Sequence, residues 1–115
     1  MTTYNTIAVA EFSIHHTQFI DTDGHITQPL PDFATQEKLT ALYQSMLTLR
    51  TFDKKTINLQ RTGKMGTYPS CRGSEAFSIG IGDSILPHDV FCPYYRDQGV
   101  LFQRQGSLLG ILQYW

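Results

Sequence analysis

The stretch TQEKLTALYQSMLTLRTFDKKTINLQR, residues 35–61, decides how the rest of the chain is read. Leu39, Leu42, Met46, Leu49, Phe52 and Leu59 recur at spacings of three and four, with Thr56 filling one gap. That period puts them on one face of a long helix. Glu37 lies near its positive N-terminal end, and Lys54, Lys55 and Arg61 gather toward the negative C-terminal end. We read those cations as matched to the helix dipole on a solvated face rather than as a binding patch. Gly63 is placed to end the helix as its C′ residue.

On the N-terminal side, residues 1–34 read as an extended arm. Ile7 to Ile14 is β-like in composition. Phe19-Ile20-Asp21-Thr22 and His25-Ile26-Thr27 flank Asp23-Gly24, a strong hairpin signal. Pro29 and Pro31 then stop regular structure. On the C-terminal side, Lys64 to Gly73 reads as a loop, and a second helix runs from Ser74-Glu75 to Ser84. Ala76 and Gly80, four apart, are the small residues expected to let a neighbour approach. Val90-Phe91-Cys92 reads as a short buried strand. A third helix passes through Val100, Leu101 and Phe102 and breaks at Gly106, and Ser107 caps a fourth. That last helix is apolar to Trp115 and too short to stand alone. Residues 35–115 are therefore expected to be the start of a larger domain.

Composition narrows the function. The 115 residues are 41% hydrophobic and 17% charged, which fits a folded chain. The formal charge of −1 argues against a nucleic-acid binder that works by neutralising phosphates. No Lys or Arg precedes Lys38, so neither a secretory nor a mitochondrial leader is recognisable. No apolar run approaches the ~20 residues that span a bilayer. The expectation is a soluble cytoplasmic protein without a membrane segment. Cys71 and Cys92 have no zinc or C-x-x-C spacing and read as reduced thiols. His15-His16 on an extended segment point to opposite sides and cannot chelate one ion. No metal ligand and no catalytic residue is assigned.

Two segments carry chemistry. Tyr94-Tyr95-Arg96-Asp97-Gln98-Gly99 offers a planar guanidinium fork and phenol hydroxyls, groups suited to phosphate. The alternative for Arg96 is a structural pairing with Asp97 or Glu75. Arg72-Gly73-Ser74-Glu75-Ala76 opens the second helix, where Glu75 simply suits the helix N-terminus.

These segments, with Leu49-Arg50-Thr51-Phe52-Asp53 and Leu59 to Tyr68, resemble in order the N-terminal part of the α subunits of 2-oxo acid dehydrogenase E1 components. The pyruvate dehydrogenase group is the first match and the branched-chain group its near relative. The resemblance implies an α/β thiamine diphosphate-binding fold, here mostly helical with a hairpin arm and one short core strand. It implies an α2β2 assembly with an E1 β subunit. It also implies oxidative decarboxylation of a 2-oxo acid, with acyl transfer to a lipoyl group on the E2 partner.

By the same resemblance, Tyr95 and Arg96 match the family's cofactor-contacting pair, with Arg96 at the diphosphate. The family's magnesium-binding Gly-Asp-Gly follows that pair, whereas Gly82-Asp83-Ser84 precedes it and is a different motif. Ser74 stands where the family usually has Gln, and Pro69 lies near a position held by His in some relatives, so no catalytic histidine is carried over. The complete enzyme is expected to use thiamine diphosphate and Mg2+. This chain alone is expected to bind the cofactor weakly and to be inactive. The alternatives are a non-catalytic interaction module that pairs with an E1 β-like subunit, and an unrelated phosphate-binding domain that shares only the Tyr-Arg pair.

Overall fold

Thr35 opens the first helix by accepting the Lys38 amide on its side-chain oxygen at 3.2 Å while its own backbone stays extended. From there α1 runs Gln36–Arg61. Its end is a Schellman motif. The Lys64 amide donates to the Leu59 carbonyl and the Gly63 amide to the Gln60 carbonyl, with Gly63 at φ 67°. This computed structural model describes residues 6–115, which fall into two units divided between Asp32 and Phe33.

In the second unit α1 is followed by α2 (Glu75–Ser84), α3 (Gln98–Gln103) and α4 (Leu108–Tyr114). α1 buries Leu49, Phe52, Asp53 and Thr56. Leu42, Met46 and Ile57 pack partly against the same core, while Leu39 stays exposed. Only the middle of the sequence-predicted stripe is therefore core, and Asp53 belongs to it. α1, α2 and α3 meet where a Cβ added to Gly99 would lie 2.5 Å from Leu49 Cδ2 and 2.6 Å from Ser78 Cβ. Leu49, Ile79 and Val100 are fully buried around this crossing. Each such side chain contributes about 1.5–3 kcal/mol of apolar burial.

The close approach along α2 uses Ser78 and Gly82, because α3 lies over them. Ala76 is exposed and Gly80 faces open space, so the expected small-residue pair is on the wrong side of the helix. α3 closes in the same manner as α1, but the left-handed residue is Gln105 at φ 66°, with Gly106 following. Gly106 is needed one position later, because a Cβ there would sit 2.5 Å from the Leu101 carbonyl oxygen. Ser107 caps α4 by accepting the Gly110 amide.

The described residues contain four helices and no strand, so the mostly helical expectation holds and the short core strand that would make this part of the chain α/β is absent. Val90 is 91% exposed and Cys92 is exposed. Three apolar residues have no neighbouring strand to complete a ladder. A turn at Leu86–Asp89 shapes the segment instead. The Asp89 amide bonds the Leu86 carbonyl, and Arg104 reaches the carbonyls of both residues.

In the first unit the hairpin is reduced to one bridge, Ile20↔Ile26. Its loop is Thr22-Asp23-Gly24, closed by the Asp21 amide on the His25 carbonyl, and only Gly24 has positive φ. The two-residue turn expected from Asp-Gly is therefore a three-residue one. Asp21 Oδ1 accepts the Asp23 and His25 amides, and the His25 amide leads the contacts that hold the Asp21 carboxyl below its usual range.

Candidate functional site

The site begins with a buried carboxylate. Asp53 is 3% exposed and faces the loop between α1 and α2. Its Oδ1 accepts the Tyr68 hydroxyl at 3.0 Å, the Cys71 amide at 2.9 Å and, more weakly, the Cys71 thiol at 3.4 Å. Its Oδ2 accepts the Ser70 hydroxyl at 2.7 Å. A buried carboxylate persists only when its lone pairs are met in this way. Burial first, then the Asp53 charge, pushes the Cys71 thiol up to about 12. Burial likewise raises the Tyr68 phenol. Both groups stay protonated and donate, and Cys71 is no nucleophile.

The segment pinned in this way turns two carbonyls outward. Ser70 O accepts from Arg96 Nη1. Pro69 O accepts from Gln98 Nε2 at 3.2 Å, and the same nitrogen bonds the Tyr95 carbonyl at 2.9 Å. Gln98 is buried, and its Oε1 is a buried atom without a partner among the described residues. Tyr94 and Tyr95 have ring centroids 3.9 Å apart, and Arg96 Cζ lies 5.3 Å from the Tyr95 centroid. The Tyr94 hydroxyl, then Arg96, holds the Tyr95 phenol below its ordinary value. A cavity of about 820 Å³ lies alongside, lined by Tyr94, Tyr95, Gln98, Ile111, Tyr114 and Trp115 among others.

Neither structural pairing considered for Arg96 forms. Asp97 Oδ2 takes the Tyr94 amide at 2.7 Å. Glu75 pairs with Arg50 and accepts the Gly73 amide. Arg50, followed by those backbone donors, lowers the Glu75 carboxyl to about 2 against the cost of burial. Among the described residues no carboxylate lies within ion-pair reach of Arg96. A guanidinium carries five donors, and one is engaged here. The donor set therefore suits a phosphate or another oxyanion. It offers less to a metal: Asp83 of Gly82-Asp83-Ser84 is held by Lys38 at 2.6 Å.

Asp53 escaped the sequence reading of the site. Its signal is an acid four residues after the core residue Leu49, on a face that is otherwise apolar. The four donors it collects come from three residues 15 to 18 positions away.

This helical scaffold holds a tyrosine-arginine pair over a loop, an arrangement suited to receiving an anion. The sequence matches the dehydrogenase E1 component family over residues 43–115, and the chain belongs to that family. It is 31% identical over 93 residues to the 2-oxoisovalerate dehydrogenase subunit alpha of Pseudomonas aeruginosa, covering 81% of this chain and 23% of that one. It is 38% identical over 69 residues to the 3-methyl-2-oxobutanoate dehydrogenase subunit alpha of Mycobacterium tuberculosis, covering 60% and 19%. It is 34% identical over 80 residues to the pyruvate dehydrogenase E1 component subunit alpha of Acholeplasma laidlawii, covering 70% and 23%. The chain thus spans about a quarter or less of the length of these relatives. No solved structure matches it.

Proposed function

We propose that this chain supplies Tyr95 and Arg96 to the diphosphate site of a thiamine diphosphate-dependent 2-oxo acid dehydrogenase E1, as part of its α component. Enzymes of this family use thiamine diphosphate. When bound, the cofactor supplies the carbon chemistry of 2-oxo acid decarboxylation, and the protein orients and electrostatically supports it. Arg96 holds negative oxygen with its unengaged donors, and Tyr95 adds a phenol beside it. Magnesium ligands come from outside the residues described here. An E1 β subunit completes the assembly, and a lipoyl group on E2 takes the acyl product. The setting is cytoplasmic.

The observation that carries this reading is Arg96 itself: an exposed cation, held by a main-chain carbonyl and an aromatic face, with no carboxylate in ion-pair reach among the described residues. The substrate we assign is pyruvate, following the resemblance in residues 49–99. A branched-chain 2-oxo acid is the second reading, favoured by the relatives named for such substrates.

Calorimetric titration with thiamine diphosphate and Mg2+ tests the site. Weak binding is expected for the chain alone and tighter binding when it is co-purified with an E1 β subunit. Arg96→Ala should lower that affinity by about tenfold or more, since charge-assisted hydrogen bonds are lost. An affinity indifferent to Arg96→Ala removes the reading. Turnover of pyruvate against 3-methyl-2-oxobutanoate by the same assembly separates the two substrates.

A further inference from the structure

We infer that Asp53, which touches no ligand-facing atom, is the positioning residue of the Tyr95-Arg96 pair and acts through the main chain of Pro69 and Ser70. The functional meaning of this inference rests on the diphosphate reading of Arg96. The positioning itself is a property of the fold.

The chain of contacts is continuous. Asp53 sits on the rigid central turns of α1, beside Phe52 and Thr56 of the core. Its two oxygens divide the work. Oδ1 collects Tyr68 and Cys71, the residues on either side of the segment, and Oδ2 collects the Ser70 hydroxyl in its middle. Gln60 Oε1 adds a further tie by accepting the Tyr68 amide at 2.9 Å. With the Tyr68, Ser70 and Cys71 side chains bonded to Asp53, the Pro69 and Ser70 carbonyls are the groups that accept from residues 96 and 98. One fixes the Arg96 guanidinium. The other fixes Gln98, which in turn holds the Tyr95 carbonyl. Both members of the pair, which lie in the turn before α3, are thus referenced to one carboxylate on α1. The acid also suits the task electrostatically. It is a buried acceptor with four donors, so the segment it holds has little freedom to re-pair.

Ser70→Ala isolates the link. It removes the hydroxyl donated to Oδ2, and with it the acceptor of the exposed Arg72 amide, and leaves Tyr68, the Cys71 amide and the core in place. Asp53→Asn weakens the same link from the other side: it removes the charge, and its amide nitrogen can donate to Ser70 Oγ but cannot accept from it, while its oxygen still serves Tyr68 and Cys71. The readout is the Arg96 side-chain N–H signal in a nitrogen-15 spectrum of the full chain, with backbone dispersion reporting that the fold is intact. Both variants should quicken solvent exchange of that signal by about three- to tenfold, the range expected for loss of one supporting hydrogen bond. If Asp53→Asn fails to fold, Ser70→Ala decides alone. An unchanged Arg96 signal in a folded variant overturns the inference.

A second arm separates this from the diphosphate reading. Thiamine diphosphate with Mg2+ is titrated into the assembly with E1 β. If Arg96 loosens and affinity falls, the positioning serves the cofactor. If Arg96 loosens and affinity holds, Asp53 still positions the pair, and it is the cofactor role of Arg96 that fails.

Discussion

Asp53 and Arg96 are both charged and both bound to the segment Tyr68–Cys71, yet their surroundings are opposite. Asp53 is buried and has its oxygens filled by hydroxyl, amide and thiol donors. Arg96 is exposed and uses one donor on a carbonyl. A saturated charge is committed to the fold, whereas an unsaturated one is available to something outside it. The difference separates anchor from contact point more sharply than residue type does, since acids and arginines serve either purpose.

The sharpest way to break this comparison is Asp53→Ala. It strands the Tyr68 hydroxyl, the Ser70 hydroxyl and the Cys71 amide together. We expect a loss of about 3 kcal/mol or more, measured by urea denaturation followed by circular dichroism. A loss below ~1 kcal/mol would mean that the carboxylate is not the anchor it looks to be.

A smaller effect comes from Glu75, the other buried acid, and it carries a sign in pH. Its folded carboxyl is lowered from 4.5 to about 2, chiefly by Arg50. The stability it contributes is fully present above about pH 4.5 and is lost as pH falls toward 2. Melting temperature followed from pH 7 to pH 2 should therefore drop more steeply for the natural chain than for Glu75→Gln. Parallel curves would place the acid sensitivity elsewhere.

The smallest effect belongs to Arg96→Ala. An exposed side chain with one supporting bond should leave the melting temperature within ~3 °C. A large drop would make Arg96 structural and erase the contrast with Asp53.

Much of the helical framework was legible in the sequence, because its signals are local. Thr35, Gly63 and Ser107 mark helix ends through contacts spanning a few residues. The spacing from Leu49 to Thr56 reports a buried face directly. The misreadings share one cause. Val90-Phe91-Cys92 has strand composition, but a strand needs a partner, and composition says nothing about whether one lies alongside. Ala76 and Gly80 were chosen for size, whereas the position of α3 selects Ser78 and Gly82. Asp53 and Glu75 find their partners across 15 to 25 residues. The phosphate-suited donors of Arg96 are intrinsic to its side chain, and the family resemblance singles out the Tyr95-Arg96 pair. The acid that orients them depends on where the loop folds back, which no spacing discloses.

The acceptors that hold Arg96 and Gln98 belong to the peptide backbone of residues 69 and 70. Every amino acid carries that oxygen. Evolution can therefore rewrite the side chain at 69 while the orienting geometry survives, provided the acid on α1 remains. In a descendant of this sequence, residue 53 would therefore report whether the tyrosine and arginine are still held in place better than residue 69 would.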